Sequence, residues 1–253
     1  MIQTVNLDFS IHKKKLLSAI SCQFPQGQLT GLIGPNGAGK TTLLKLIAGI
    51  NTPTAGYCYI DKKTVQQYSY QQRSLLIGYL AQKNTVAWPM TVAQVVALGL
   101  LPLSVIQSEQ AALIHQALVS TEVEHLKTAS VADLSGGELA RVLLARVLIT
   151  NTPIILADEP IASLDPYHQL KVLTILKRQA LSGKTVIISL HDINFAQRFC
   201  DHIVLLKAGK LVAEGAKADI IQPEIMSAVY DIEMQLIEDK DQTVFYPALK
   251  LDS

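Results

Sequence analysis

Gly34, Gly39, Lys40 and Thr41 stand at the spacing G-x-x-x-x-G-K-[ST] inside LTGLIGPNGAGKTTLLKLIAG, residues 29–49. That pattern suits phosphate chemistry. Glycines let backbone N–H groups turn inward onto phosphate oxygens, and a helix beginning behind them adds positive potential. Lys40 supplies a point charge for the outer phosphates and Thr41 a hydroxyl ligand for Mg²⁺. Pro35, Asn36, Gly37 and Ala38 fill the loop and Thr42 the first turn behind it, so all of them are candidate nucleotide contacts.

A matching acid comes much later. PIILADEP gives an apolar run, Ile154 to Ala157, and then Asp158 and Glu159 where a strand would end. In a parallel sheet, ligands gather at the carboxyl ends of strands, which brings both acids beside the phosphate loop. Asp158 is the Mg²⁺ candidate. Glu159 is the candidate for polarising an attacking water. A further strand, KTVIISLHD, ends in His191, which at the same sheet edge could bond both a terminal phosphate and that water.

LSGGELARVLLAR, residues 134–146, poses a different problem. Ser135 and Glu138 fit a helix capping box, and Leu139, Val142, Leu143 and Val147 give the helix a buried stripe. Gly136 and Gly137 are not explained by this, since a glycine at a helical position costs up to about 1 kcal/mol against alanine. Bare N–H groups at a helix start form an anion site. One chain's phosphates already have a cradle, so this second one is expected to serve a nucleotide held by another copy of the chain.

With these pieces together, the chain resembles the nucleotide-binding subunit of an ABC transporter. GPNGAGKTT resembles the family's Walker A, ILADE its Walker B, LSGGE its signature, SLD (Ser163 to Asp165) its D-loop and His191 its switch histidine. Gln82 in YLAQ stands at the Q-loop position, which in the family contacts Mg²⁺ and water. The resemblance implies an α/β fold. Its parts would be a P-loop NTPase core with a mostly parallel sheet, an N-terminal antiparallel β portion and an inserted helical subdomain. It implies an ATPase using ATP and Mg²⁺, with Glu159, His191 and Gln82 catalytic, and with Thr41, Gln82 and Asp158 at the metal. Ser135, Gly136, Gly137 and Asp165 would meet the nucleotide across a homodimer. Ile161, Leu139 and Ala140 depart from residues common at their positions, and none removes a phosphate contact. Val5, Leu7, Phe9 and Ile11 alternate as one strand face; the adenine-stacking residue is expected to be Phe9, with Ile11 the alternative.

These motifs need elements to carry them. The 253 residues suffice for one large α/β domain, divided by the resemblance into a catalytic core, 1–83 and 153–253, and a helical subdomain, 84–152. Lys+Arg 22 against Asp+Glu 21 leaves a net charge of +1, which offers no field for nucleic acid. Cys22, Cys58 and Cys200 show no metal or disulfide spacing, and the N-terminal order is the reverse of a secretory signal, so a cytoplasmic chain is expected. No charge occurs from Asn84 to Ser108, and mean hydropathy is +0.27. Pro89 and Pro102 bracket a segment too short to span a bilayer, which reads instead as a helix starting at Thr91. Its apolar surface could be core, partner surface, or both on different faces. The family's membrane permease subunits would dock through a groove near Gln82 and residues 84–105, at the cytoplasmic face of the inner (plasma) membrane, with a substrate-binding protein involved indirectly. TVAQVVALG and SLHDINFAQRFCDHIVLLKAGKLVAEG look most like the importer branch for iron chelates: siderophores, haem or cobalamin. Zinc or manganese importers, an exporter subunit and a small-molecule kinase remain alternatives.

Overall fold

The computed structural model describes residues 2–12, 14–82, 90–239 and 242–248. Its first strands, β1 (Ile2–Ile11) and β2 (Lys14–Phe24), form an antiparallel hairpin. The alternation read over Val5, Leu7, Phe9 and Ile11 does not hold as one face. Asn6 has φ 45°, and the β1–β2 register shifts between Thr4 and Leu7. Ile2 and Thr4 are buried before the irregularity and Leu7 and Phe9 after it, while Val5 and Ile11 are exposed. An extra residue in a strand moves later side chains to the opposite face, and that reverses the phase here.

Next come β3 (Leu29–Ile33) and α1 (Lys40–Ile47). Gly49, with φ 67°, supplies the left-handed turn expected just past the helix. β4 (Ala55–Ile60) and β5 (Lys63–Thr64) complete a four-stranded antiparallel sheet in the order β2-β1-β4-β5. After α2 (Tyr70–Leu76) and β6 (Ile77–Leu80), the described chain is helical, with short 3-10 turns, through α3 (Val92–Ala97), α4 (Gln107–Ser120) and α5 (Gly136–Leu148). It returns to the sheet as β7 (Ile154–Ala157), α6 (Pro166–Leu181), β8 (Thr185–Ser189), α7 (Ile193–Phe199), β9 (His202–Lys207) and β10 (Lys210–Ala216). α8 (Lys217–Ile220), α9 (Pro223–Tyr230) and a hairpin of β11 (Glu233–Asp239) and β12 (Gln242–Ala248) end the described chain.

The main sheet has the order β10-β9-β3-β8-β7-β6, parallel except for β10. This is the α/β architecture expected, with the antiparallel sheet at the N-terminal side. Both faces of the parallel strands are covered, which is why Leu29–Ile33 and Thr185–Ser189 are buried throughout. Alternate residues feed two cores. Leu32, Leu156, Ile187 and Val204 face α1 and the antiparallel sheet, whereas Leu29, Ile155, Val186 and Ile188 join Val92, Val96, Val142 and Leu144 of the helical segment.

Thr91 caps α3 in a reciprocal capping box with Gln94. Val92, Val95, Val96 and Leu100 go into the core, and the outward apolar surface reduces to Leu98 and Leu101, the latter 79% exposed. α5 is buried more widely than one stripe: Arg141, Leu144, Ala145 and Leu148 join Val142, Leu143 and Val147, with Leu139 only partly covered. Among the described residues no helix is long and apolar enough to cross a membrane.

Candidate nucleotide site

The phosphate loop joins β3 to α1 through three glycines of positive φ: Gly34 (143°), Gly37 (77°) and Gly39 (102°). Space as well as φ demands the first and last. A Cβ on Gly34 would sit 2.0 Å from the Leu206 carbonyl oxygen, and one on Gly39 2.5 Å from Leu17 Cδ2. Gly39 is the N-cap of α1 and offers no side-chain acceptor, so the first N–H groups of the helix keep their capacity for an anion. Lys40 Nζ donates to the carbonyls of Gly34 (2.7 Å) and Pro35 (3.2 Å). Burial lowers its pKa, opposed by the nearby Glu159 and Asp158 carboxylates. Leu16, residues 36–42, Glu159 and His191 line the pocket over the loop.

Because β8 lies between β3 and β7 in a parallel array, the carboxyl ends of all three strands share one edge. Asp158 follows β7 and is 1% exposed. Its Oδ1 accepts from Thr41 Oγ1 (3.0 Å) and from Ser189 Oγ (2.8 Å). Its Oδ2 is buried without a partner. An orphaned carboxylate oxygen beside a threonine hydroxyl is a hard-oxygen donor set and fits Mg²⁺, an ion that takes one or two protein ligands plus phosphate oxygens and water.

Glu159 follows with φ 50° and its N–H on Ser189 Oγ (2.7 Å). Its carboxylate is held at both oxygens. Gln82 Nε2 donates to Oε2 at 2.6 Å, and His191 Nε2 lies 2.5 Å from Oε1. Burial works against the charge, but the bonds from His191 and Gln82, together with the charges of His191 and Lys40, outweigh it and hold the pKa below the usual carboxylate value. The group is therefore ionised at neutral pH and can accept a proton. Ser189 went unrecognised in the sequence. The signal was present, a hydroxyl closing the apolar run TVIIS at the strand end that carries the histidine.

Ser135 caps α5: its Oγ accepts from Glu138 N (3.3 Å) and donates to Glu138 Oε2 (2.7 Å). The bonds that the Glu138 carboxylate accepts from Ser135 Oγ and from Ser135 N–H (2.9 Å) pull its pKa down. No residue from 134–138 lines the pocket over the phosphate loop; Gly136 lies in a separate groove with Gln82, Leu139 and Ser163. Asp165 caps α6, accepting from His168 N at 3.0 Å. The structure thus gathers residues 36–42, Asp158, Glu159, His191 and Gln82 at one edge; Gly136 shares the neighbouring groove with Gln82 and Glu159 but does not line the pocket over the phosphate loop, and neither do Ser135 and Asp165.

A family model described as ABC transporter matches residues 17–162. The chain belongs to the ABC transporter family. It is an ATP-binding subunit, and members of this kind are ATPases that power transport. The ferric enterobactin transport ATP-binding protein FepC of Escherichia coli strain K12 is 35% identical over 225 residues, covering 87% of this chain and 83% of FepC. The hemin import ATP-binding protein HmuV of Rhodopseudomonas palustris is 34% identical over 239 residues, covering 91% and 88%. Among solved structures, an inward-facing ABC transporter described as of metal-chelate type covers 98% of both chains at TM-score 0.85 and 25% identity. The dimeric cassette MJ0796 bound to ADP and Pi covers 86% of this chain and 99% of its own at TM-score 0.76 and 29% identity.

In this ABC subunit the expectation for Phe9 is corrected. Phe9 is 8% exposed and packs in the core between the two sheets, so its ring has no face to offer a base. It pairs with Leu17, whose side chain lies under Gly39. Ile11, further out on the hairpin, is exposed, and Leu16 reaches the phosphate pocket. Of the groove expected near Gln82 and residues 84–105, positions 84–89 lie outside the described residues.

Proposed function

We propose that this chain is the ATPase of an importer for a metal chelate such as an iron–siderophore, haem or cobalamin, and that it works as a homodimer with two shared nucleotides. The cargo class rests on FepC and HmuV, whose names place them in ferric enterobactin and hemin import. The pairing rests on the dimeric MJ0796 cassette and on the pocket over the phosphate loop, which takes no residue from the chain's own 134–138.

The geometry supports a role for each residue. Residues 34–42 hold the phosphates, with Lys40 exchanging its loop carbonyls for outer phosphate oxygens. Thr41, Asp158 and Gln82 would hold Mg²⁺, which would neutralise charge on the transferring phosphoryl group. Glu159 takes a proton from the attacking water as the bond to ADP breaks, and His191 holds the base and the terminal phosphate. Ser135, Gly136, Gly137 and Asp165 of the second copy close the site. Leu16, which lines the pocket over the phosphate loop, and Ile11, exposed on the same hairpin, are the apolar candidates to meet adenine. Residues 84–152 act as a helical subdomain against the core, 1–83 and 153–253, and meet the permease through a groove near Gln82 and residues 84–105, a stretch in which Leu98 and Leu101 are exposed. The assembly sits at the cytoplasmic face of the inner membrane.

One observation carries this reading: the Glu159 carboxylate, held at both oxygens by Gln82 and His191, adjoins the Thr41–Asp158 pair. The Glu159→Gln chain is expected to bind ATP normally, to lose hydrolysis by about 10²–10⁴-fold and to accumulate as a dimer with ATP. Light scattering and phosphate release test this. Wild-type turnover, or a persistent monomer, overturns it.

A further inference from the structure

The start of α6 meets α5 in contacts the nucleotide chemistry does not use. A Cβ on Gly137 would lie 2.2 Å from Cγ and Cδ2 of His168, while one on Gly136 would meet nothing within 4 Å. The two glycines therefore have different duties: the first leaves open space, and the second makes room for a ring in the same chain. One turn along α5, Arg141 Nη1 forms a short hydrogen bond with His168 Nδ1. Arg141 is 6% exposed, and its Nε has no partner. A guanidinium can only donate, so Nδ1 accepts and the ring hydrogen belongs on Nε2. That nitrogen faces Asp165 Oδ2 at 3.8 Å, within electrostatic reach but beyond a direct hydrogen bond. The other Asp165 oxygen accepts from His168 N. A second tie runs beside the first, an ion pair from Lys171 to Glu122 at the end of α4.

We propose that His168 is a positioning residue that joins the Asp165 carboxylate to the glycine-bearing end of α5 through Arg141. The two segments one subunit presents to its partner's nucleotide then move as a single body. This rests on the shared-nucleotide reading above. Without His168, the D-loop and α5 each find their place separately when two copies close, and closure becomes harder while nucleotide capture by one chain is untouched.

The test uses the full-length chain carrying Glu159→Gln, with two readouts: affinity of the monomer for a fluorescent ATP analogue, and the ATP concentration giving half-maximal dimer by light scattering. His168→Ala is expected to leave monomer affinity within about twofold and to raise the half-maximal concentration about tenfold, the size expected for one charge-assisted hydrogen bond. Arg141→Met is expected to do the same, and the double variant no worse than either single one, because both remove the same link. His168→Asn, which keeps an acceptor near the Nδ1 position, is expected to recover most of the loss. If His168→Ala does not fold, His168→Asn against Arg141→Met gives the same comparison. Dimerisation of His168→Ala at the parent's ATP concentration, single losses that multiply in the double variant, or an Asn variant no better than Arg141→Met overturns the proposal. A parent Glu159→Gln chain that stays monomeric sinks the shared-nucleotide reading itself and this proposal with it; the His168 variants are then not needed to tell the two failures apart.

Discussion

Glu159 keeps a negative charge in a partly buried position because two donors face it, one on each oxygen. Its pKa is lowered, so the acid limb of the rate profile should lie at lower pH than an ordinary glutamate base would give. Gln82→Ala removes one donor and leaves the base in place. The Glu159 pKa then rises, and the acid limb of kcat is expected to move to higher pH with the neutral-pH rate partly kept. A profile of kcat against pH in both chains checks this, and an unmoved limb counts against Glu159 as the titrating base. Much of this cluster was legible in the sequence, because glycines spaced to bare a run of N–H groups, followed by lysine and threonine, suit little besides phosphate and its metal. Ser189 was missed because a single hydroxyl in TVIIS looks like ordinary strand composition until its two bonds to the Asp158–Glu159 junction are seen. Phe9 was misplaced because a bulge at Asn6, invisible in residue types, changes which side chains share a face.

Among elements, the helices with strong terminal chemistry were the easiest to read: the start at Thr91, the Ser135–Glu138 capping box and the Gly49 stop. The closing hairpin, β11–β12, had no such signal and was not foreseen. It attaches by tertiary contacts. Asn194, early in α7, donates Nδ2 to the Phe245 carbonyl (3.2 Å) and accepts the Phe245 N–H at Oδ1 (2.8 Å), as a neighbouring strand would. Phe245 and Met234 are buried beneath it. Asn194→Ala should weaken this attachment by about 1–2 kcal/mol, for two hydrogen bonds of ordinary net worth. Hydrogen exchange in 233–248 should accelerate while ATPase activity stays near wild type. Unchanged protection would mean that the buried apolar residues alone hold the hairpin.

At the scale of the whole molecule, the pocket over the phosphate loop is lined by no residue of the segment 134–138 of the same chain. Ser135→Arg spoils only what a chain lends, and Lys40→Ala spoils only what it holds. Each variant alone should be inactive. Mixed together, one intact loop can face one intact signature, so phosphate release should return at a single composite site per pair. Full activity of Ser135→Arg by itself would show that each chain needs nothing from another. The apolar core also bears on how such a molecule changes shape. Val92, Val96 and Val142 belong to the same continuous cluster as Leu29, Val186 and Ile188 beneath them. Prying the helices off the sheet would therefore wet apolar surface on both sides. Relative movement that keeps this surface covered therefore costs less than movement that parts the helices from the sheet.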